Sequence, residues 1–346
     1  MRKKPPGDLS IKNITVLFNH VTSLTFGTKQ DILADEDTVL TAKKIASVLK
    51  HSGFKVSLFE VNEKTVQKLP TIKTDFFFNL CGGIGNLPNS EHEVVDILDR
   101  INIPYSGASS DKLLLTTNKV ITKKYFNKYN IPTPSYQVFK SKDEKLKDGL
   151  TFPLIVKPIA EDCSFGIHSD SVVINSKQLR KKVEDVIRTY KEPALVEDYI
   201  NTRELNVTIV GNGEQAKVLP ISEIVFGKSY NQKKKWKIVD FAAKWLEDSV
   251  SYHDTVGICP SDLSASIKDR IEKYALKAYK KICGNPGYAR FDIRLAEDNK
   301  IYFLEINLNP DISDGMGAAR SAKAYGWNYP DFLHKIIEVS INRHSS

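Results

Sequence analysis

Two carboxylates and one amide near the C-terminus have the types and spacing of a metal site. Glu305 and Asn307 lie two residues apart in the apolar stretch YFLEINLNP, and Asp292 lies in the preceding stretch RFDIRL. Side chains of a strand alternate between its two faces, so Phe303, Glu305 and Asn307 should share one face. The polar segment AEDNK between the two stretches predicts a turn and therefore an antiparallel hairpin.

Pairing across this hairpin would bring Asp292, Glu305, Asn307 and Arg290 together on one face. Two carboxylates at such a short distance repel each other, and one must take up a proton unless a cation lies between them. Their oxygen atoms suit Mg²⁺, which takes few protein carboxylates and fills its other positions with substrate phosphates. On the hairpin alone, a solvated outer face whose acids are neutralised by arginines is an equally good interpretation.

A candidate phosphate site lies at the end of another apolar strand. Lys157 closes the stretch LIVKP and is followed by the small-residue loop AEDCSFG. An ammonium group beside the N–H groups of a flexible loop can bind phosphate oxygens, although a lysine in this position can also extend to solvent. Further along, Glu197 and Glu204 could accept hydrogen bonds from an adenine amino group and from ribose hydroxyls.

The composition bounds the class of protein. The 346 residues are 41% hydrophobic and 27% charged, which is typical of a globular protein of two or three domains. No apolar run approaches the roughly 18–20 residues that span a bilayer, and no apolar segment follows the basic N-terminus, so we expect a cytoplasmic protein with no membrane partner. The four cysteines form no CxxC pair, so no zinc site or disulfide framework is predicted. The net charge of +8 suits a polyphosphate site as well as nucleic acid, and we expect no nucleic-acid partner.

The predicted elements begin with strand–helix alternation. The stretches ITVLFN, KVSLFEV and DFFFN read as strands separated by helices, which predicts a parallel β-α-β arrangement. The segment TTNKVITKKYFNKYN predicts a single helix that stops at IPTP. Several later strands and a long helix, SDLSASIKDRIEKYALKAYKKIC, precede the hairpin.

In this order, the motifs resemble those of the ATP-grasp superfamily, and within it the D-alanine–D-alanine ligase-like branch. The matching segments cover nearly the whole chain: NIPYSGASS with NKVITKKYFNKYNIPTP, FPLIVKP with CSFGI, VEDYINTRELNVTIVG, YARFDIRL and YFLEINLNP. The resemblance implies an α/β chain, α+β in its C-terminal half, with the three-domain ATP-grasp architecture. It places a parallel α/β domain at residues 1–118, a central subdomain at 119–201 and a C-terminal subdomain with the metal site at 202–346, with ATP between the last two.

The resemblance also implies roles for individual residues. The expected ATP-binding residues are Lys119, Lys157, Ser164, Gly166, Glu197, Asp198, Tyr199, Ile200, Glu204 and Lys244. The expected catalytic residues are Arg290, Lys244 and Glu36, the last of which would position a substrate amine. Asp292, Glu305 and Asn307 would hold two Mg²⁺ ions, for which Mn²⁺ can substitute.

The activity implied by the resemblance is that of an ATP-dependent carboxylate–amine ligase that forms ADP through an acyl phosphate. Its partners would be a small-molecule carboxylate and an amine, and a homodimer is one possible assembly. One alternative is a true D-alanine–D-alanine ligase of cell-wall synthesis. A nucleotide-binding protein without catalytic activity is a further alternative that an intact metal triad argues against.

Three departures from the family pattern concern the substrates. Cys163 replaces the loop serine, Trp245 replaces a common tyrosine, and DIS at 311–313 replaces the family's GMT. Asp311 and Asp314 should repel an acceptor carboxylate unless they point to solvent. We therefore expect that D-alanine is not the preferred acceptor and that a cationic or bulkier amine is favoured.

Overall fold

The computed structural model describes residues 11–23, 27, 33–161, 165–232, 235–246 and 248–344, with their side chains except at 33–37, 231, 232, 241 and 245. Within these ranges the chain forms three sheets, one parallel and two antiparallel. None of the described helices is long and apolar enough to cross a membrane. The predicted fold class, α/β at the start and α+β in the C-terminal half, is confirmed.

The first part of the chain forms β1 (Asn13–Phe18), α1 (Leu33–His51), β2 (Lys55–Glu60), β3 (Phe76–Asn79) and α2 (Glu91–Ile101). Its strands are parallel in the order β2-β1-β3, as the strand–helix alternation predicts. The side chains of β3 alternate between two cores, because both faces of a parallel sheet are normally covered. One of these cores includes the last helix of the chain, α11 (Tyr329–His344), which ties the C-terminus to the first sheet.

The helix predicted for residues 116–130 starts later than expected and is preceded by a second helix. The two helices are α3 (Ser110–Thr117) and α4 (Lys119–Lys128). Asn118 between them has an extended backbone, and its side chain accepts hydrogen bonds from the N–H groups of Val120 and Ile121. Asparagine is a preferred N-cap because it satisfies such N–H groups, so the chain ends one helix and starts the next at this residue. The predicted helix is therefore confirmed as α4, with a later start, and α3 was not predicted.

The central sheet comprises β4 (Tyr136–Phe139), β5 (Leu154–Pro158), β6 (Val172–Val173) and β7 (Ala194–Asp198), and helix α5 (Ser176–Tyr190) covers one face. Its strands are antiparallel in the order β4-β7-β5-β6. The sheet therefore holds β5, which ends near Lys157, next to β7, which contains Glu197.

The C-terminal sheet comprises β8 (Arg203–Val210), β9 (Lys217–Val218), β10 (Ser222–Phe226), β11 (Thr255–Ile258), β12 (Tyr288–Leu295) and β13 (Ile301–Asn307). Its main order is β11-β10-β8-β12-β13, and all pairs are antiparallel. The helices of this part are α6 (Lys228–Gln232), α7 (Phe241–Trp245), α8 (Val250–His253), α9 (Ala265–Ala278), α10 (Gly317–Ala324) and α11. The predicted hairpin is confirmed as β12 and β13.

A β-bulge changes which side chains of this hairpin share a face. Asp292 lies opposite Glu305, but the next residue of β12, Ile293, lies opposite Phe303. Leu304 is therefore an extra residue, and the alternation of side chains is interrupted there. Phe303 is fully buried in the core, whereas Glu305 lines the cavity described below. The expectation that Phe303 shares a face with Glu305 is wrong for this reason.

Candidate active site

A cavity of about 1200 Å³ lies between the three sheets and is lined by residues from each of them. Asn19 and Leu80 follow the carboxyl ends of β1 and β3, Lys157 comes from β5, and Asp292 comes from β12. The predicted site residues that line the cavity are Lys157, Glu204, Lys244, Arg290, Asp292, Glu305 and Asn307.

The acidic face of this cavity lies on β12 and β13. Asp292 and Glu305 are direct cross-strand partners. The Nδ2 atom of Asn307 lies 3.1 Å from Oδ2 of Asp292 and 3.5 Å from Oε1 of Glu305. On the neighbouring strand β8, Asn206 donates from Nδ2 to Oδ1 of Asp292 at 2.7 Å. The sequence prediction that Asp292, Glu305 and Asn307 lie together is confirmed by this geometry.

Arg290 balances the charge of Asp292. Its Nε and Nη2 atoms each lie 2.9 Å from one carboxylate oxygen of Asp292, which is a bidentate pair. Burial alone would raise the pKa of Asp292, but Arg290 outweighs burial and lowers that pKa below its ordinary value. Asp292 is therefore ionised at neutral pH and available as an oxygen donor.

A second ion pair lies beside the first in the same sheet. Nη2 of Arg294 lies 2.5 Å from Oε2 of Glu204, and the same guanidinium donates to the carbonyl oxygens of Thr202 and Lys237 at 3.0 and 2.7 Å. Burial raises the pKa of Glu204, and Arg294 opposes this effect. Glu204 lines the cavity while one of its oxygens contacts Arg294.

Two lysines share one buried carboxylate in the central sheet. Lys157 donates from Nζ to Oε1 of Glu197 at 2.6 Å, and Nζ of Lys123 forms an ion pair with Oε2 of Glu197, also at 2.6 Å. Lys123 also donates to Oγ1 of Thr133 at 2.8 Å. Burial alone would raise the pKa of Glu197, but the two ammonium groups outweigh it and hold the pKa at about 2. Only Lys157 of these three charged groups lines the cavity.

The remaining predicted nucleotide residues lie around the cavity rather than along its wall. Lys119 is buried and donates to the carbonyl oxygen of Glu161, which itself lines the cavity. Gly166 has φ of +71°, and a Cβ there would overlap Pro158 and Tyr190, so this position needs glycine. Asp198 ends β7, Tyr199 and Ile200 follow it, and none of the three lines the cavity. Ser164 and the side chain of Glu36 lie outside the described residues.

Three charged or polar groups of the site were missed by the sequence reasoning. Asn206 lies two residues after Glu204 on β8. Glu305 and Asn307 have the same spacing, so Asn206 could have been predicted from the sequence. Lys123 is one of several lysines in a helix and has no distinguishing neighbour. Arg294, in the stretch RFDIRL, is one of the arginines that would neutralise acids on a solvated face, whereas the structure buries it.

The segment after Asn307 contains the two acids, Asp311 and Asp314, that were expected to repel an acceptor carboxylate. Asp314 is half exposed, forms an ion pair with Lys44 of α1 at 3.1 Å and does not line the cavity. Asp311 does line the cavity, where its Oδ1 accepts from the N–H of Ser313 at 2.9 Å. Of Asp311 and Asp314, only Asp311 therefore lines the cavity.

The acidic face has a donor set that fits a hard dication. The donor set consists of the carboxylates of Asp292 and Glu305 and the amide of Asn307. Among the described residues, no group of three or more His, Cys, Asp or Glu side chains is arranged to hold a metal ion. Rotation of the Asn307 amide would exchange its nitrogen for an oxygen at the point where it now contacts both carboxylates. Few carboxylates and open remaining positions are what Mg²⁺ prefers when substrate phosphates complete its shell.

Comparisons with known proteins agree with this architecture. An uncharacterized protein, y4sG, of Sinorhizobium fredii is 29% identical over 311 residues, which cover 88% of each chain. The D-alanine–D-alanine ligase of Bordetella avium is 26% identical over 304 residues, which cover 87% of this chain and 89% of the other. A crystal structure of D-alanine–D-alanine ligase from Bacillus anthracis complexed with ATP superposes with a TM-score of 0.73 at 23% identity, and the match covers 96% of this chain and 99% of that one.

The family described as D-ala D-ala ligase C-terminus matches residues 125–338, which is more than half of the chain. This range contains Lys157, Glu197, the acidic face and Arg290. The chain therefore belongs to the D-alanine–D-alanine ligase family of ATP-grasp proteins.

Proposed function

We propose that this protein is an ATP-dependent ligase that joins the carboxylate of one small molecule to the amine of another, with ADP and phosphate as co-products. The observation that supports this most strongly is the acidic face of Asp292, Glu305 and Asn307, with Arg290 beside it, in the same cavity as Lys157. Family membership and the likeness to a ligase whose structure was determined with ATP support the same function.

ATP would lie between the central and C-terminal sheets. Lys157, Lys119 and Lys244 would contact its phosphates, and the loop containing Ser164 and Gly166 would close over them. The segment 197–200 would border the adenine, partly through its backbone, and Glu204 would bind ribose hydroxyls. We propose the domain bounds 1–118, 119–201 and 202–346 for this arrangement.

Asp292, Glu305 and Asn307 would hold two Mg²⁺ ions, with Mn²⁺ as a substitute. Bound there, the metal ions would neutralise charge on the phosphates. Arg290 then has two tasks in this chain: it balances the charge of Asp292, and it points a fixed donor into the cavity.

The reaction has two steps. A carboxylate is a poor electrophile, so its oxygen first takes the γ-phosphoryl group of ATP, which releases ADP and leaves an acyl phosphate. Positioning and charge neutralisation provide most of the catalysis of such a transfer. The amine nitrogen then attacks the acyl carbon, the phosphate leaves with the bonding electron pair, and the nitrogen loses a proton.

Two residues would act on the second step. Arg290 would donate to the oxyanion that forms when the amine attacks, which is the kind of fixed donor that stabilises such an intermediate. Glu36 would position the substrate amine. Water must be excluded until the amine attacks, because it would hydrolyse the acyl phosphate.

A second candidate function is D-alanine–D-alanine ligation itself. The printed names of relatives such as the Bordetella avium enzyme favour it. The replacements at Cys163, Trp245 and 311–313 argue against D-alanine as the preferred acceptor, since these positions lie in segments expected to shape the amino-acid pockets.

A screen of amino acids in pairs tests both candidates. The purified protein is incubated with ATP, Mg²⁺ and each pair, and phosphate release and product mass are measured. We expect a condensed product from at least one pair, and more of it than of D-alanyl-D-alanine. Preferred synthesis of D-alanyl-D-alanine would establish the second candidate, and the absence of product from every pair would contradict both.

A further inference from the structure

Asn19 is a buried polar side chain that the proposed reaction does not use. It follows the carboxyl end of β1, is 2% exposed and lines the cavity. Its Oδ1 accepts a hydrogen bond from the backbone N–H of Gly82 at 2.9 Å. Because a backbone N–H can only donate, this contact fixes which end of the amide is the oxygen. The two donors of Nδ2 must therefore find their partners elsewhere.

The Nδ2 group of Asn19 has no hydrogen-bond partner among the described residues. Asn86, which lines the same wall, differs in this respect. Its Oδ1 accepts from the N–H of Thr22 at 2.8 Å, and its Nδ2 donates to Oγ1 of Thr22 at 3.3 Å. Buried polar groups normally have partners, so the free donors of Asn19 need an explanation. A ligand in the cavity would provide one.

The place of Asn19 in the first sheet is one at which α/β proteins bind ligands. The chain passes from β1 through α1 to β2 on one side of β1, and β3 then pairs with the other side. The crevice between the carboxyl ends of β1 and β3 is thus a topological switch point, where ligands of open parallel sheets bind. Asn19 follows β1 and Gly82 follows β3, so their hydrogen bond spans this crevice.

The loop after β3 gives the crevice a fixed shape. The N–H of Ile84 donates to Oγ of Ser90 at 2.7 Å. A Cβ at Gly83 would lie 2.9 Å from the same Oγ, so the loop packs too closely there for a larger residue. Gly82, Gly83 and Gly85 all line the cavity and add no side chain to it. The donors of Asn19 are therefore held in place beside an open wall.

The charge of this wall favours a neutral oxygen atom as the partner of Asn19. The described side chains that residues 11–102 contribute to the cavity include Glu91 and His92 but no lysine or arginine. Burial raises the pKa of the Cys81 thiol, and the negative charge of Glu91 raises it further, so Glu91 acts close to the crevice. A second carboxylate would be repelled here, whereas a hydroxyl or carboxamide oxygen accepts a hydrogen bond without adding charge.

The crevice meets the acidic face at Asn309. This residue lies two positions after Asn307, and both line the cavity. Its Nδ2 donates to Oε1 of Glu91 at 3.2 Å, and its Oδ1 accepts from the hydroxyl of Tyr288 at 3.2 Å. A substrate whose carboxylate lies at the acidic face can therefore extend its side chain into the crevice.

We propose that Asn19 recognises a neutral oxygen atom, a hydroxyl or a carboxamide oxygen, on the side chain of the carboxylate substrate. This inference rests on the proposed ligase function and narrows the class of its carboxylate substrate to polar, uncharged molecules. Asn19 would determine specificity, because it contacts the side chain rather than the carboxylate that reacts.

Pairs of amino acids with nearly equal size test this inference. Serine is compared with 2-aminobutyrate, and asparagine with leucine, as both enantiomers. Each is offered with ATP, Mg²⁺ and the amine substrate that the pair screen identifies, and fragment masses of the product show which molecule supplied the carboxylate. The proteins compared are the wild type, Asn19→Leu, Asn19→Ala and the control Asn127→Leu, whose side chain is exposed on α4.

We expect kcat/KM of the wild type to favour the polar member of at least one pair by roughly 10- to 100-fold, because its apolar counterpart leaves the donors of Asn19 unpaired. A preference in the serine pair identifies a hydroxyl, and one in the asparagine pair identifies a carboxamide. Asn19→Leu and Asn19→Ala should lose the preference through a fall in kcat/KM for the polar member alone, and Asn127→Leu should match the wild type.

Three results would overturn the proposal. One is a wild type that uses both members of each pair equally, and another is a preference that survives in both Asn19 variants. The third is an equal loss of kcat/KM for both members, which would show that Asn19 only holds the loop after β3. Thermal melting of each variant checks that the fold is retained.

A binding measurement separates this proposal from the proposed function. If the wild type makes no product from any pair, the ligase function fails, and ligand-observed NMR with the same four amino acids in the presence of ADP and Mg²⁺ tests the crevice alone. Stronger binding of serine than of 2-aminobutyrate, or of asparagine than of leucine, lost in Asn19→Leu, would support the role of Asn19. Equal binding within both pairs would reject it.

Discussion

The two walls of the cavity bury charge with opposite balances. At the central sheet, the ammonium groups of Lys157 on β5 and of Lys123 on α4 surround the carboxylate of Glu197, and of these three groups Lys157 lines the cavity. In the C-terminal sheet, acids surround the Arg290 guanidinium: burial alone would lower its pKa, but Asp292, Glu305 and Asp311 raise it. One wall is therefore built around excess positive charge and the other around excess negative charge.

This difference indicates what each wall can bind. A wall where Lys157 lines the cavity, and where a second ammonium group shares its carboxylate partner, suits phosphate oxygens. A wall of carboxylates and amides suits a dication that would itself contact phosphate. Buried ion pairs of this kind contribute little net stability compared with apolar packing, although breaking one is costly. Their arrangement is thus better explained by ligand binding than by stability.

The largest effect is expected when the carboxylate of the positive wall is removed. Glu197→Gln leaves the ammonium groups of Lys123 and Lys157 in a buried site without a counter-charge. We expect the free energy of unfolding to fall by about 3–5 kcal/mol, the cost of breaking a buried pair. Urea denaturation at pH 7 measures the change.

The matched control is Glu184→Gln, because Glu184 pairs with Lys142 on the surface and an exposed pair contributes about 0–1 kcal/mol. The pH dependence adds a second check. The folded pKa of Glu197, about 2, is below its ordinary value of 4.5, so its stabilising effect is complete above pH 4.5 and is lost as the pH falls toward 2. The difference in free energy of unfolding between wild type and Glu197→Gln should therefore shrink in acid. Equal losses in Glu197→Gln and Glu184→Gln would show that the buried ion pairs of Glu197 contribute no more than an exposed pair.

The next largest effect is expected on the negative wall. Asp292→Asn keeps the size of the side chain but removes the charge that Arg290 balances. We expect turnover to fall roughly 10²–10³-fold, the range for loss of one fixed electrostatic group at a reaction centre. Turnover of ATP with the best substrate pair measures this, and chelation of divalent ions should abolish turnover in the wild type.

Asp298→Asn is the control for this variant, because Asp298 is an exposed residue in the turn of the same hairpin. Its turnover should equal that of the wild type. Wild-type turnover in Asp292→Asn, with an unchanged melting temperature, would mean that the acidic face has no part in catalysis.

A smaller effect is expected from the lysine that lines the cavity. Lys157→Ala should weaken ATP binding by about 1.5–3 kcal/mol, the contribution of a charge-assisted hydrogen bond. Calorimetry with ATP measures it, and Lys182→Ala is the control, since Lys182 pairs with Asp170 outside the cavity. Unchanged ATP affinity in Lys157→Ala would mean that this lysine only neutralises Glu197.

The two walls could not be predicted equally well from the sequence. The negative wall was predicted because Asp292, Glu305 and Asn307 are close in sequence, and because strand periodicity and a polar turn determine how a hairpin folds. The bulge at Leu304 was not predicted, since nothing in its apolar neighbourhood marks an extra residue. Such an irregularity depends on packing against the rest of the sheet.

The positive wall depends on contacts between distant parts of the chain. Lys157 and Glu197 are 40 residues apart, and their pairing follows only once β5 and β7 are known to be neighbours. The pair of Lys44 and Asp314 spans 270 residues, which explains why the direction of Asp314 was not predictable. By contrast, the helix break at Asn118 was marked by a preferred N-cap residue, and the lysine-rich pattern around it obscured that signal.

The central claim is that the carboxylate is activated by phosphoryl transfer, and isotope transfer tests it most directly. The donor carboxylate is labelled with ¹⁸O, the reaction is run with ATP, Mg²⁺ and an amine acceptor, and the released phosphate is analysed by mass spectrometry. An acyl phosphate intermediate predicts that each phosphate formed with product contains one ¹⁸O atom from the carboxylate. Product formation with unlabelled phosphate would contradict this account.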